Sequence, residues 1–156
     1  MKKIFLLADD DSDDRSLFVE ALDEIDSSIV CYCVADGKQV LNLLQSKDLE
    51  LPQIIFLDIN MPKMNGWQCL TELKKMQPLK YIPVIIFSTS AHSREAETAL
   101  ELGAFCFFTK PIDFIEFKEM LKIIWLNLDG DLLKAMNQFN DIKFKRVFNV
   151  EPNEAK

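Results

Sequence analysis

Glycine is scarce in this 156-residue chain, with four in all, and histidine occurs once. So little glycine excludes collagen-like and glycine-rich low-complexity classes. One histidine and four cysteines without a CxxC spacing supply no zinc ligand set, and they argue equally against a disulfide framework. Cys31, Cys33, Cys69 and Cys106 are therefore expected as free thiols, buried or partly buried as small hydrophobes. No apolar run approaches the roughly 18–20 residues that a membrane helix needs. Basic charge is also short: 18 Lys and Arg stand against 25 Asp and Glu, a formal net charge of −7 with a pI near 4.7. That balance argues against affinity for nucleic acid, which comes from neutralising phosphates. The amino terminus MKKIFLLADDD is too short and too acidic for a secretory signal peptide, so cytoplasmic residence is expected.

What is present is enough apolar residue, 49%, to close the core of one domain. Short apolar runs alternate with helical patterns. Ile4 to Ala8 reads as a strand, followed by Leu17, Phe18, Ala21, Leu22 and Ile25 at helical spacing. IVCYCV over Ile29 to Val34 ends at Asp36-Gly37, and Val40, Leu41, Leu43 and Leu44 form a second helical face. Pro52 opens IIFLDI, apolar on both faces until Asp58, as a central parallel strand covered on both sides should be. Gly66 to Met76 reads as the third helix, stopped by Pro78. Pro83 then opens VIIFS, and Ser93 to Leu102 reads as a helix ended by Gly103. AFCFFT leads to Lys110-Pro111, and Ile112 to Leu128 reads as a long last helix. Five strand–helix pairs predict an α/β domain over residues 1–129, a parallel sheet with helices on both faces.

Residues 130–156 form a C-terminal extension, too short for a separate output domain. Leu132, Leu133, Met136 and Phe139 suit one further helix, and KFKRVFNV alternates like an extended piece. The extension carries five cations and four anions, whereas residues 1–129 carry thirteen cations against twenty-one anions. The acidity therefore belongs to the α/β body.

Ligands of such sheets bind outside the carboxyl ends of the strands. There the first strand ends in Asp9-Asp10-Asp11, the third in Asp58, the fourth in Ser88-Thr89-Ser90 and the fifth in Lys110-Pro111. Carboxylates brought together repel, and a hard divalent cation with oxygen ligands relieves the repulsion. Magnesium fits better than zinc, since no histidine or cysteine cluster is at hand. The loop ADDDSDD would repel a bare phosphate, unlike the glycine-rich loops that cradle nucleotides or flavin phosphates. A phosphoryl group is accommodated only with the metal present and beside a cation such as Lys110 and a hydroxyl such as Ser88. The bland readings are an N-cap for Asp11 or Ser12, a solvated loop for His92, and core packing for Trp67 and Trp125.

In LLADDD, IIFLDINMPKMNGW, PVIIFSTSA and GAFCFFTKP, in this order and at these intervals, the chain resembles the receiver domain of bacterial two-component response regulators. The resemblance covers residues 2 to about 128. It implies a flavodoxin-like (βα)5 fold with strand order 2-1-3-4-5, and phosphoryl transfer from a sensor histidine kinase or a histidine phosphotransfer protein to one aspartate. By motif, Asp58 resembles the phospho-acceptor, and Asp9 and Asp10 the acidic pair that binds Mg2+ (or Mn2+) with Asp58 and the backbone carbonyl of Asn60. Lys110 resembles the lysine that pairs with phosphoryl oxygens, and Pro111 its cis-proline partner. Pro62 and Gly66 belong to the loop and turn that open the third helix. Ser88 fills the hydroxyl switch position and Phe107 the aromatic one, where tyrosine is frequent, so any switching by Phe107 rests on packing alone. The partners implied are the phosphodonor and a downstream protein target, with no nucleic acid and no membrane. The face from the fourth to the fifth helix is a common partner surface of the family and leaves a homodimer open.

Two other readings compete. A phosphatase of the haloacid dehalogenase kind also sets an aspartate after a parallel strand, but it wants a second aspartate where this chain has Asn60. A phosphorylation-independent binding module would not need all the metal and phosphoryl positions to be filled.

Overall fold

In the computed structural model, the described residues are 2–89, 92–111, 113–135 and the backbone of 147–149. The chain alternates as expected: β1 (Ile4–Ala8), α1 (Ser12–Ile25), β2 (Val30–Val34), α2 (Gly37–Gln45), β3 (Ile54–Leu57), α3 (Gly66–Leu73), a 3-10 turn (Leu79–Tyr81), β4 (Val84–Ser88), α4 (Ser93–Glu101), β5 (Cys106–Thr109) and α5 (Phe114–Leu126). The first five strands are parallel in the order β2-β1-β3-β4-β5. One strand extends the expected sheet: β6 (Val147–Asn149) pairs antiparallel with β5, setting Phe148 opposite Phe107 in register. It falls within the extended piece read in the C-terminal extension.

The sheet separates two apolar layers because successive residues of a strand point to opposite faces. Toward α1 and α5 lie Phe5, Leu7, Phe18, Phe56, Phe87 and Phe108 with Phe117 and Leu121. Their rings interlock: Phe18 meets Phe56 edge-on at 5.0 Å between centroids, and Phe87 stacks on Phe117 at 5.6 Å. Toward α2, α3 and α4 the layer is mostly aliphatic, built on Leu6, Ala8, Ile55, Leu57 and Ile86 with Ala96, Ala99 and Phe107. At roughly 25 cal/mol per Å2 of apolar surface buried, these two layers are the main source of stability.

Local chemistry sets the helix starts. Asp11 caps α1, its carboxylate accepting from the backbone N–H groups of Asp13 at 2.8 Å and Asp14 at 3.1 Å. Asp113 does the same for α5, and Asn65 with Gln68 forms a reciprocal capping box on α3. Gly103, at φ +93°, ends α4 in a conformation that side chains with a Cβ rarely adopt. In the extension, residues 132–135 are helical and Leu132 packs on the aromatic layer. Met136 and Phe139, placed in the same helix from sequence, lie outside the described residues.

One expectation is corrected. Among the described residues the cis peptide bond is Gln77–Pro78, and Lys110–Pro111 is not cis. An X–Pro bond prefers trans by only about 0.5–1 kcal/mol, so its isomer is decided by the surroundings and is not legible in the two residues themselves.

Candidate functional site

The alternation that builds the aromatic layer continues past the strand ends. Leu7, Phe56 and Phe108 share that face, and two residues further on come Asp9, Asp58 and Lys110. Register brings these ends together, since Leu7 is paired with Phe56 across β1 and β3. Asp10, the next residue after β1, is exposed. Carboxylate oxygens of Asp9, Asp10 and Asp58 all lie within 4.8 Å of one another. Lys110 reaches into this cluster, with Nζ 2.6 Å from Asp9 Oδ2 and 3.8 Å from Asp58 Oδ2, and stands 5.4 Å from the centre of the Phe87 ring.

Each carboxylate is held differently. Asp9 is 1% exposed; its Oδ1 accepts from the N–H of Asp11 at 3.0 Å, and its main-chain oxygen accepts from the Arg15 guanidinium at 2.7 Å. The side chain of Asp58 is 14% exposed, and its Oδ1 accepts from the N–H of Ile59 at 2.8 Å. Burial pushes the Asp58 carboxyl up to about 6; Lys110 and the Ile59 N–H oppose this, while Asp9 and Asp10 reinforce it. For Lys110, burial disfavours the ammonium, yet its bonds to Asp9 and Asp14 and the charge of Asp58 outweigh burial and raise its pKa.

Asp14 was not singled out from the sequence. It lies in the first turn of α1, and its Oδ2 is 3.0 Å from Lys110 Nζ. Only the packing of α1 beside β5 brings the two together, and a first-turn aspartate is otherwise an ordinary helix-start residue. Arg15, on the same turn, also went unremarked.

The remaining residues frame the cluster. Ser88 closes β4 and is buried, and its carbonyl accepts from the N–H of Lys110 at 2.6 Å. Phe107 is fully buried on the opposite, aliphatic face. Asn60 and Pro62 are exposed in the loop after β3. There the Pro62 carbonyl accepts from the N–H of Met64, and Lys63 takes a positive φ of 61°. Gly66 is required by close approach: its N–H donates to the Ile59 carbonyl, and a Cβ would collide with the main-chain oxygen of Asp58. Pro111 is half-buried beside Lys110, while His92 is exposed at the start of α4.

A tight, partly buried set of carboxylate oxygens without histidine or thiol suits a hard divalent cation such as Mg2+ or Mn2+. A parallel α/β sheet with such a cluster and a lysine at its carboxyl edge defines a class of metal-dependent phosphoryl acceptors. More narrowly, the chain belongs to the response regulator receiver domain family, whose model matches residues 5–122. It is similar to the response regulator Rcp1 of Synechocystis sp., at 31% identity over 133 residues, covering 80% of this chain and 89% of Rcp1. Among solved structures it resembles the phosphorylated cyanobacterial phytochrome response regulator RcpA, with a TM-score of 0.74 and 28% identity over 81% of this chain and 96% of that one. It also resembles the Mn2+-bound form of Rcp1, with a TM-score of 0.71 and 30% identity over 80% of this chain and 95% of that one. The protein is a response regulator by its receiver domain, a signalling switch similar to the stand-alone regulators Rcp1 and RcpA, and the phosphatase alternative finds no support. Among the described residues no helix is long and apolar enough to cross a membrane.

Proposed function

We propose that Asp58 is the residue that takes the phosphoryl group, and that the chain acts in the cytoplasm, with residues 1–129 as receiver and 130–156 as an extension. The observation that carries this reading is the meeting of Asp9, Asp10 and Asp58 oxygens within 4.8 Å, with the Lys110 ammonium 3.8 Å from Asp58. Above a pKa of about 6 the Asp58 carboxylate is ionised and nucleophilic. Its free oxygen attacks the phosphorus of a phosphohistidine in line; the P–O bond forms as the P–N bond breaks, and the imidazole leaves with the electron pair. Asp9, Asp10, Asp58 and the Asn60 carbonyl would hold a divalent cation, which when bound would supply positive charge against the phosphoryl oxygens.

Lys110 stands ready beside the acceptor. It is held by Asp9 and Asp14, and can donate to the new phosphoryl oxygens by a short shift of its flexible stem. The Ser88 hydroxyl donates a further hydrogen bond and moves the loop after β4, which is the signalling change. Phe107 is already fully buried, so its part in the switch is repacking against Ala96 and Ala99 rather than entry from solvent. The phosphodonor is a sensor histidine kinase or a phosphotransfer protein, the reader a protein partner or a second copy of the chain. Catalysis is limited to self-phosphorylation and loss of the phosphoryl group.

Incubation with acetyl phosphate and Mg2+ tests the assignment. Intact-mass spectrometry should show about 80 Da added to the wild type, and nothing added to Asp58→Asn. No addition to the wild type, or equal addition to the variant, overturns it.

A further inference from the structure

Away from the acidic site, β2 carries two cysteines two residues apart, Cys31 and Cys33, on one face of the outermost strand. Their sulfurs are 3.6 Å apart and share a hydrogen bond. Cys31 packs against the aromatic layer, and Cys33 is exposed. Cys33 opens into a groove of about 680 Å3 along α1, lined also by Ser12, Arg15, Ser16 and Glu20. We propose that Cys31 and Cys33 form a peroxide-oxidisable dithiol that closes to a reversible disulfide on the β2 edge.

The two thiols are unequal in the way such chemistry needs. The hydrogen bond from Cys31, assisted by the charge of Arg15, brings Cys33 down to about 7 against the opposing effect of burial. Cys31 is pushed up by sharing that bond, by burial and by nearby negative charge. Cys33 is thus the exposed thiol that ionises more readily, and Cys31 the neighbour that holds its proton more tightly. Cys69 and Cys106 are buried, and burial pushes both up to about 12, which leaves them inert.

The reaction balances with a peroxide as oxidant. The Cys33 thiolate attacks one oxygen of hydrogen peroxide; the S–O bond forms, the O–O bond breaks, and the leaving hydroxide takes a proton to become water. Cys31 gives up its proton, and its sulfur attacks the Cys33 sulfenic sulfur. The S–S bond forms, the S–O bond breaks, and a second water leaves. Two thiols lose two electrons, and one peroxide gains them.

Strand geometry makes this bond labile rather than structural. Residues two apart on a strand lie roughly 6.6 Å apart at Cα, near the upper end of the ~4.4–6.8 Å that a disulfide spans. Such strained, exposed disulfides are the easily reduced ones. The adjustment is feasible because, among the described residues, β2 pairs with β1 alone and its other side is bonded to no strand.

The test treats the full chain with hydrogen peroxide, alkylates the remaining thiols and measures intact mass. Two of the four thiols should be lost to alkylation with a decrease of about 2 Da. Peptide mapping should find Cys31 linked to Cys33, and dithiothreitol should restore four alkylations. In Cys31→Ser the reaction should stop at a Cys33 sulfenic acid trapped by dimedone, and Cys33→Ser should slow peroxide consumption at least tenfold. Accumulation of sulfinic acid on wild-type Cys33, a disulfide between two chains, or unchanged peroxide consumption by Cys33→Ser would each overturn the proposal.

Discussion

The two faces of the sheet are packed differently and carry different parts of the site. The face under α1 and α5 is layered with interlocking phenylalanines, and its continuation past the strand ends bears Asp9, Asp58 and Lys110. The face under α2, α3 and α4 is aliphatic, with small residues at Ala96 and Ala99 beside Phe107. Like charges are gathered over the layer of interlocking rings, which sets the positions of the strand ends beneath them. The aliphatic face holds Phe107, the aromatic position proposed to repack.

The sharpest way to break this comparison uses neighbours on β3 that point to opposite faces. Phe56→Ala removes a ring that meets Phe5, Phe18 and Phe87, and should lose about 3–5 kcal/mol in urea denaturation. Leu57→Ala should lose less, about 2–3 kcal/mol, because an aliphatic neighbourhood closes more readily over the gap. Equal losses would show that the interlocking rings add nothing beyond aliphatic packing.

Next in size is Lys110→Met, which leaves the buried Asp9 carboxylate without its ammonium. A loss of roughly 3 kcal/mol is expected in chelator. Mg2+ should return part of it, since the cation replaces the missing positive charge; an Mg2+-independent loss would place the cost in packing over Phe87 instead.

Asp58→Asn should act in the opposite direction. Because the folded carboxyl is raised to about 6 from its usual 3.8, the folded protein holds this proton more tightly than the unfolded chain. The destabilisation is therefore absent below about pH 4, grows as pH rises toward 6 and is constant above that. The variant should be roughly 1–3 kcal/mol more stable than wild type at pH 7 in chelator, and indistinguishable from it at pH 4. A gain independent of pH would exclude charge as its cause.

The smallest effect concerns the metal. At tenfold over its dissociation constant Mg2+ should stabilise the wild type by about 1.4 kcal/mol. Asp10→Asn should remove most of that response while changing stability in chelator by no more than about 0.5 kcal/mol, because Asp10 is exposed. Thermal melts with and without Mg2+ separate the two quantities.

The order of strands and helices was legible because each element writes its own period into consecutive residues. Ile54–Leu57 is apolar on both faces because a central parallel strand is covered twice, and Asp11 marks the start of α1 by its own chemistry, whereas the caps at Asn65 and Asp113 emerged with the structure. Asp9, Asp10, Asp58 and Lys110 could be assigned to strand ends for the same reason, since a strand ends where its apolar run stops. The sequence by itself thus determined the parallel α/β body and the carboxylates at its edge.

Only the tertiary structure decided how those groups meet. Asp14 pairs with Lys110 across 96 positions of sequence, and Arg15 reaches the Asp9 carbonyl, because α1 packs where it does. The proton affinity of Asp58 depends on how deeply β3 is buried and on charges from two other strand ends. Pairing of β6 on β5, the exposure of Cys33 and the isomer at Gln77–Pro78 and Lys110–Pro111 are likewise products of the assembled fold. Period and capping are properties of neighbours in the chain, whereas distance, burial and charge coupling are properties of neighbours in space.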